Sequence, residues 1–234
     1  MASQRTTDGR QLRWERHNAQ RREAILGAAI DELRAKPPGS EVHVADIAQR
    51  AGLSRTVVYR HFDDRADLDR AVQTQILDGL WLELLPGVSL EGGTAREIIH
   101  RILDTYVGWA VTNPSLHQFV EIDTSPDGSG PLQRGLEFIA GQVSAVIEVA
   151  VQLLQVELSA DEEAGLDPLV HGIVGMVFGA VRRWAFRSVR EPAREPFVDL
   201  LTETVWHILG GFTARLGLDL DPDVPVDQLL GVGL

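Results

Sequence analysis

Cysteine is absent from the 234 residues, which removes disulfides, thiolate metal ligands and cysteine nucleophiles together and suits a reducing, cytoplasmic setting. Hydrophobic residues make up 44% of the chain, enough for a core that folds without such staples. Alternating apolar and polar runs, the mark of half-buried strands, are missing. No stretch approaches the roughly 18–20 uninterrupted apolar residues that span a bilayer, and the Arg-rich N-terminus lacks the apolar run of a secretory leader; no membrane partner is expected. Also missing are a His-Glu-x-x-His pair, a nucleophile elbow and a Gly-rich phosphate loop, so neither an enzyme nor a bound cofactor is expected. Positive charge is short as well: 22 Lys and Arg face 34 Asp and Glu, a net charge of -12 that by itself argues against a polyanionic partner.

That net charge conceals an asymmetry. Residues 1–62 carry 11 basic and 7 acidic side chains, a balance of +4, whereas the remainder carries 11 against 27, a balance of -16. Two regions meeting different partners are expected. Arg5, Arg10, Arg13, Arg16, Arg21 and Arg22 form a basic run at the start. It reads either as a flexible arm beside a nucleic-acid-binding unit or as a merely solvated tail.

What is present reads with the helical period almost throughout, so the expected fold class is all-α. A first helix is expected over about 16–36, with Ile25, Ala29 and Leu33 on one face, and Pro37-Pro38-Gly39 stops it. A short helix over about 44–51 follows, with Ile47, Ala48 and Ala51 inward. Gly52 then supplies a positive-φ turn, and Ser54 caps a third helix over about 55–62. A fourth, about 65–85, stops at Pro86-Gly87. Later helices are expected near 94–112, 114–122, 131–158, 168–189 and 195–216, separated by Gly92-Gly93, Asn113-Pro114, a polar loop from Ser125 to Pro131, Gly165 and Glu191-Pro192. The tail from Asp219 to Leu234 mixes acidic residues with Pro and Gly, and order is not expected there. The expected organisation is an arm (1–17), a head (18–78), a helical body (79–218) and the tail (219–234).

The segment from Val42 to Phe62 is the most informative. Ile47, Ala51, Leu53, Val58 and Phe62 can form a small core, Ala48 permits close helix approach and Gly52 makes the turn, which together describe a helix-turn-helix. Its second helix then exposes Arg55, Thr56, Val57, Tyr59 and Arg60. Arg55 can reach guanine O6 and N7, Thr56 and Val57 suit thymine methyls, and Tyr59 and His61 can hydrogen-bond phosphates. A helical hairpin inside an unrelated core remains the bland alternative.

Ile47-Ala48, then Ala51-Gly52-Leu53-Ser54, then Val58-Tyr59-Arg60-His61-Phe62 resemble the signature of the tetracycline-repressor (TetR) family, and the resemblance covers about residues 18–78. It implies base contacts near Ala45, Arg55 and Thr56 and phosphate contacts from Tyr59, His61 and Arg65. Departures are His43 where the family often has a capping Thr, Thr56-Val57 for Gly-Thr, Arg65 for Lys, and an acidic Asp63-Asp64 entrance. The candidate DNA-contacting set is His43, Ala45, Ser54, Arg55, Thr56, Val57, Tyr59, Arg60, His61 and Arg65.

Behind the head, Val170, Val174, Val177, Val181 and Trp184 recur at spacings of four and three as a seam, with Gly175 and Gly179 allowing close backbone approach. The last helix offers Leu201, Val205, Ile208 and Phe212. The resemblance implies that these two helices form a four-helix bundle with a second copy, and an intramolecular core is the alternative. For a small-molecule effector, Tyr106, Trp109, His117, Phe119, Phe138, His171 and Phe178 are candidate cavity residues. His117 and Glu121 sit four apart but have no third ligand in sequence reach, so no metal is expected. The function expected is a homodimeric DNA-binding regulator, released from a double-stranded palindromic operator by an unidentified effector, with the fourth helix as mechanical link. An α-helical enzyme and a helical protein-interaction adaptor are the rival readings.

Overall fold

The structure is a computed structural model that describes residues 2–88, 93–122, 129–217 and 221–229, and the backbone alone over 2–15 and at 227 and 229. Helix α1 (Ala2–Ala35) begins at Ala2, where a helix from about Arg16 behind a flexible arm was expected. Its core-facing residues are those the periodicity picks out: Ile25, Ala29 and Leu33 are buried. Helices α2 (Val44–Arg50) and α3 (Arg55–Val58) follow. Between them Gly52 lies at φ +66, with Leu53 N–H bonded to Ala48 O at 2.8 Å and Gly52 N–H to Gln49 O at 3.1 Å. This paired bonding closes a helix with a left-handed residue just past its end, a conformation that favours glycine. Helix α3 is shorter than expected, because after Val58 the chain tightens into turns that bring Phe62 into the core.

Helix α4 (Arg65–Leu84) passes into a 3₁₀ turn at Leu85–Val88. Helix α5 (Ala95–Thr112) opens with a capping box in which Thr94 and Glu97 satisfy each other's backbone N–H groups. Helices α6 (Pro114–Val120), α7 (Pro131–Leu153), α8 (Ala160–Ala185), α9 (Arg194–Arg215) and the short α10 (Val226–Leu229) complete an all-α chain among the described residues.

Two boundaries depart from the sequence expectation. Helix α8 begins at Ala160 rather than near Pro168, since a second capping box, Ser159 with Glu162, starts it and Gly165 and Pro168 lie inside it. Pro168 removes one helical hydrogen bond, but Ala164, whose carbonyl loses that donor, is exposed and open to water. Helix α7 ends at Leu153, five residues short of expectation, because Gln155 takes φ +53 and Val156 N–H returns to Val151 O at 3.1 Å. Of the expected disordered tail, the described part is anchored: Val226 is buried and donates to Gly93 O at 3.0 Å beside an antiparallel bridge between Thr94 and Pro225. The polar loop lies outside the described residues over 123–128. Helices α7 and α8 each have the length and composition of a membrane-crossing helix but hold no uninterrupted apolar run of that length, because Gln, Ser, Gly and Glu punctuate α7 and Gly, Asp, Pro and His punctuate α8.

The chain divides into two compact units, residues 1–77 with 115–132 and residues 78–114 with 133–234. The head is therefore not the contiguous segment 18–78, because α6 folds with it. Ser115 Oγ donates to Lys36 O at 2.8 Å, satisfying a carbonyl left without a helical donor at the end of α1. Gln73, fully buried on α4, donates its amide to Phe119 O at 3.0 Å and to Ile122 O at 2.7 Å. In the second unit, α5 and α9 are crossed by ion pairs Arg96–Glu203, His100–Asp199 and Arg194–Asp104, the last at 2.7 Å.

Gln73→Ala leaves both carbonyls of the α6 exit without their side-chain donor and should destabilise the first unit by about 1–3 kcal/mol, the range for one buried unsatisfied group, since Ile122 is exposed to water. Urea unfolding of the full chain, followed by protection of the α6 amides, checks this. Gln155→Gly should stabilise by roughly 0.5–1 kcal/mol, the left-handed penalty of about 1–2 kcal/mol less the extra entropy glycine loses.

Candidate nucleic-acid interface

The first unit is arranged so that the two short helices bury one side and present the other. Val44, Ile47 and Ala48 of α2 and Val58 of α3 are buried with Phe62, while His43, Ala45, Ser54, Arg55, Thr56, Tyr59 and Arg60 are exposed and Val57 and His61 are half-buried. Nine of the ten candidate residues thus have side chains at the surface of one small substructure. Ser54 stands at the N-cap of α3 in extended geometry, but its side chain makes no capping bond, which leaves the hydroxyl available to another partner. Arg55 lies over the Tyr59 ring at 5.5 Å, which orders both side chains on the exposed face.

Arg65 is the exception. Its Nε donates to both carboxyl oxygens of Asp69 at 2.8 and 2.9 Å and its Nη1 to Val42 O at 2.6 Å, so it ties the start of α4 to the lead-in of α2. Burial pushes the Asp69 carboxyl above its usual range, and the adjacent Arg65 only partly opposes this. The Lys-to-Arg departure is thereby explained, because the guanidinium fork holds a carboxyl and a carbonyl at once.

Other cations are committed inside the head. Arg22 donates to His61 O at 2.8 Å and its guanidinium lies 4.3 Å from the Phe62 ring centroid, pinning the chain after α3 to α1. Lys36 pairs with Asp46 at 2.9 Å, and its hydrogen bond holds the Asp46 carboxyl below the usual range. Arg50 pairs with Glu32 at 2.6 Å. Sequence reasoning placed Arg22 in the basic run and overlooked Gln73. Its signal was a lone amide on the apolar side of α4, one step from Val72 and three from Ile76.

In the second unit the expected seam faces inward. Val170, Val181, Trp184, Leu201 and Val205 are buried within their own chain, and Val174, Val177, Ile208 and Phe212 are half-buried. Trp184 stacks on Phe197 at 4.6 Å and 10° and donates Nε1–H to Pro192 O at 2.8 Å. The heptad-like spacing records packing of α8 inside the protomer. The seven candidate effector residues do not gather either. His117 and Phe119 belong to the first unit, with His117 paired to Glu121 at 3.1 Å, and Tyr106, Trp109, Phe138, His171 and Phe178 belong to the second. Tyr106 and Trp109 are buried, Phe138 meets Trp81 edge-on at 5.2 Å with half its surface exposed, and His171 pairs with Asp167 on its own helix. A cavity of 630 Å³ does exist between α7 and α8, lined by none of the seven.

A helix-turn-helix that buries one face and exposes a polar, cationic one, on an otherwise all-helical chain, defines a DNA-binding transcriptional regulator. Residues 25–72 match the family model described as bacterial regulatory proteins, tetR family. An uncharacterized HTH-type transcriptional regulator of Mycobacterium tuberculosis is 27% identical over 211 residues, 90% of this chain and 86% of the relative. A tetR-family regulator from Streptomyces coelicolor shares the fold with a TM-score of 0.60 at 20% identity, over 91% of this chain and all of that one. The structure of RolR in complex with resorcinol matches with a TM-score of 0.59 at 14% identity, over 90% of this chain and all of the other.

His61 supplies a pH test of the head. Burial, reinforced by Arg21 and Arg22, lowers its imidazole below the usual 6.5. The unfolded chain then binds the proton more readily than the folded one, so the stabilisation is complete above about pH 6.5 and is lost as pH falls through the lower folded value. Between pH 7.5 and 5.5 the urea midpoint of the wild type should fall further than that of His61→Gln. Parallel curves would remove His61 from the account.

Proposed function

We propose that the protein is a homodimeric repressor that reads a palindromic operator through α3 and the start of α2 and releases it when a small molecule binds the helical body. The observation that carries the reading is the division of α3 into a buried anchor, Val58, and an exposed set led by Arg55 and Thr56. In this reading Arg55 and Thr56, with Val57 and Ala45 alongside, face base edges. Ser54, Tyr59, Arg60, His61 and His43 face phosphates. Arg65 acts by holding α4 to α2, and the shielded neutral imidazole of His61 takes part as a hydrogen-bond partner.

Support for a second copy comes from the outer face of α8. Gly165, Gly172, Gly175 and Gly179 are all exposed, and a Cβ added at any of them would meet nothing of the chain itself within 4 Å. Each glycine inside a helix costs roughly 0.5–1 kcal/mol relative to alanine, and no packing within the protomer explains four of them on one face. Close approach of another backbone does. With a two-fold axis at Gly172, antiparallel α8 helices set Gly165 against Gly179 of the second copy and Asp161 against its Arg183, and both charged residues are exposed. The surface presented is therefore opposite to the valine seam. Release by an effector requires that the ligand prefer one conformation, with a coupling of about 1–3 kcal/mol being typical. Helix α4, which contributes residues to both units, is the proposed carrier. That RolR holds resorcinol supports a small molecule as the effector class.

Selection of duplexes from random DNA should return a palindrome for the wild type. Arg55→Ala should lower affinity for that site by about 1–3 kcal/mol and relax one base position, whereas Arg60→Ala should weaken specific and non-specific DNA alike and flatten the salt dependence. Failure of the folded wild type to select any site at low salt would sink the operator reading. For the dimer, Gly172→Leu should yield monomers in sedimentation despite a helix propensity higher by roughly 0.8 kcal/mol. Asp161→Arg should weaken association and Arg183→Asp in the same chain restore it. A Gly172→Leu protein that remains dimeric would move the interface elsewhere.

A further inference from the structure

The cavity between α7 and α8 has a graded lining. Its floor is apolar, formed by the buried Leu166 and Val170 of α8 with Ile147 and Val151 of α7, and Val156 closes one end. The turn that places Val156 is held in a conformation unfavourable for a non-glycine residue, with Gln155 at φ +53 and Val156 N–H on Val151 O. At mid-depth the Ser144 hydroxyl is shielded from solvent and has no hydrogen-bond partner. A buried hydroxyl of this kind is satisfied by a polar atom arriving with a ligand. The mouth carries the exposed acidic side chains Glu148, Glu163 and Asp167, and no Lys or Arg lines any part of the cavity. Asp167 is engaged by His171 at 3.3 Å, while Glu148 and Glu163 form no ion pair among the described residues.

From this gradient we infer that the α7–α8 cavity is a binding site for an amphipathic organic cation, with the apolar body on Leu166 and Val170 and the ammonium group at the mouth between Glu148 and Glu163. A volume of 630 Å³ falls within the range of sites for drug-sized ligands. A bulky ammonium is weakly hydrated and needs few directed hydrogen bonds, so carboxyl groups in a wide mouth suit it better than they suit a small metal ion that demands several ligands at fixed distance. An anionic amphiphile would bring its charge against two unpaired acidic side chains with no cation to receive it. The inference rests on the effector reading for its biological role, but the binding itself is separable from DNA release.

Titration calorimetry on the full chain, with octyltrimethylammonium, octanoate and 1-octanol below their aggregation limits, tests the site. The cation should bind at least tenfold more tightly than octanoate. Glu148→Gln with Glu163→Gln should abolish that preference while leaving octanol affinity within about twofold, and Leu166→Trp should remove binding of all three. Equal binding of octanoate, survival of the preference in the double Gln variant, or no binding of any probe each overturns the proposal. Survival in that variant would show that the net charge of the chain, not the mouth, selects the cation. Duplex retention at full octyltrimethylammonium occupancy would overturn the effector reading and leave the site standing.

Discussion

The buried amide of Gln73 is the constraint on which the organisation of the first unit depends. A helix end leaves carbonyls without helical donors, and at the exit of α6 two carbonyls, Phe119 O and Ile122 O, are both taken by the one side-chain nitrogen of the buried Gln73. With Ser115 closing the other end of α6 onto Lys36 O, a segment remote in sequence becomes part of the DNA-reading unit. The chain therefore passes between its two units at three places, within α4, at the start of α6 and near the start of α7. Gln73 Oε1 is left without a hydrogen-bond partner in its buried position. This residual cost is the kind of local compromise tolerated where an alternative arrangement has a use.

Legibility in the sequence followed the range of the interactions. The helix-turn-helix could be read because its determinants are local: Gly52 at a left-handed turn, Val58 and Phe62 four apart, Ser54 at an N-cap. The all-α class was equally plain from periodicity. What escaped was set by partners far away along the chain. Nothing near Arg65 says that Val42 O and Asp69 will claim it, and nothing near Arg22 says that it will lie over Phe62. The start of α8 was misplaced because Gly165 and Pro168 were weighed as breakers, while the Ser159–Glu162 capping box that overrides them was passed over.

Helix α8 shows why spacing alone cannot assign an interface. Its valine seam and its glycine stripe lie on opposite faces, and both have the period of a packed helix. Apolar spacing reports that something covers a face without saying whether the cover is the same chain. Within the protomer the seam is covered at Val170, Val181 and Trp184, while Val174 and Val177 are half-buried. For the stripe the open space beyond each glycine leaves room for a second backbone, which is the ground of the dimer proposed above.

Charge closes the argument about how such an acidic chain binds DNA. The basic excess of the first 62 residues is small, and Arg22, Lys36 and Arg50 are spent on holding the head together, as is Arg65 just beyond it. Arg55 and Arg60 are exposed on the face proposed to read DNA, beside hydroxyl and imidazole groups able to hydrogen-bond phosphate. With Arg22, Lys36, Arg50 and Arg65 engaged inside the head, less of its positive charge is left for counterion release, the non-specific part of binding, and base contacts carry proportionally more. The -16 balance of the rest of the chain pushes the same way, since it repels DNA wherever the head is not in register. In the dimer proposed above, a two-fold pair of reading surfaces would double the base pairs contacted without adding positive charge elsewhere.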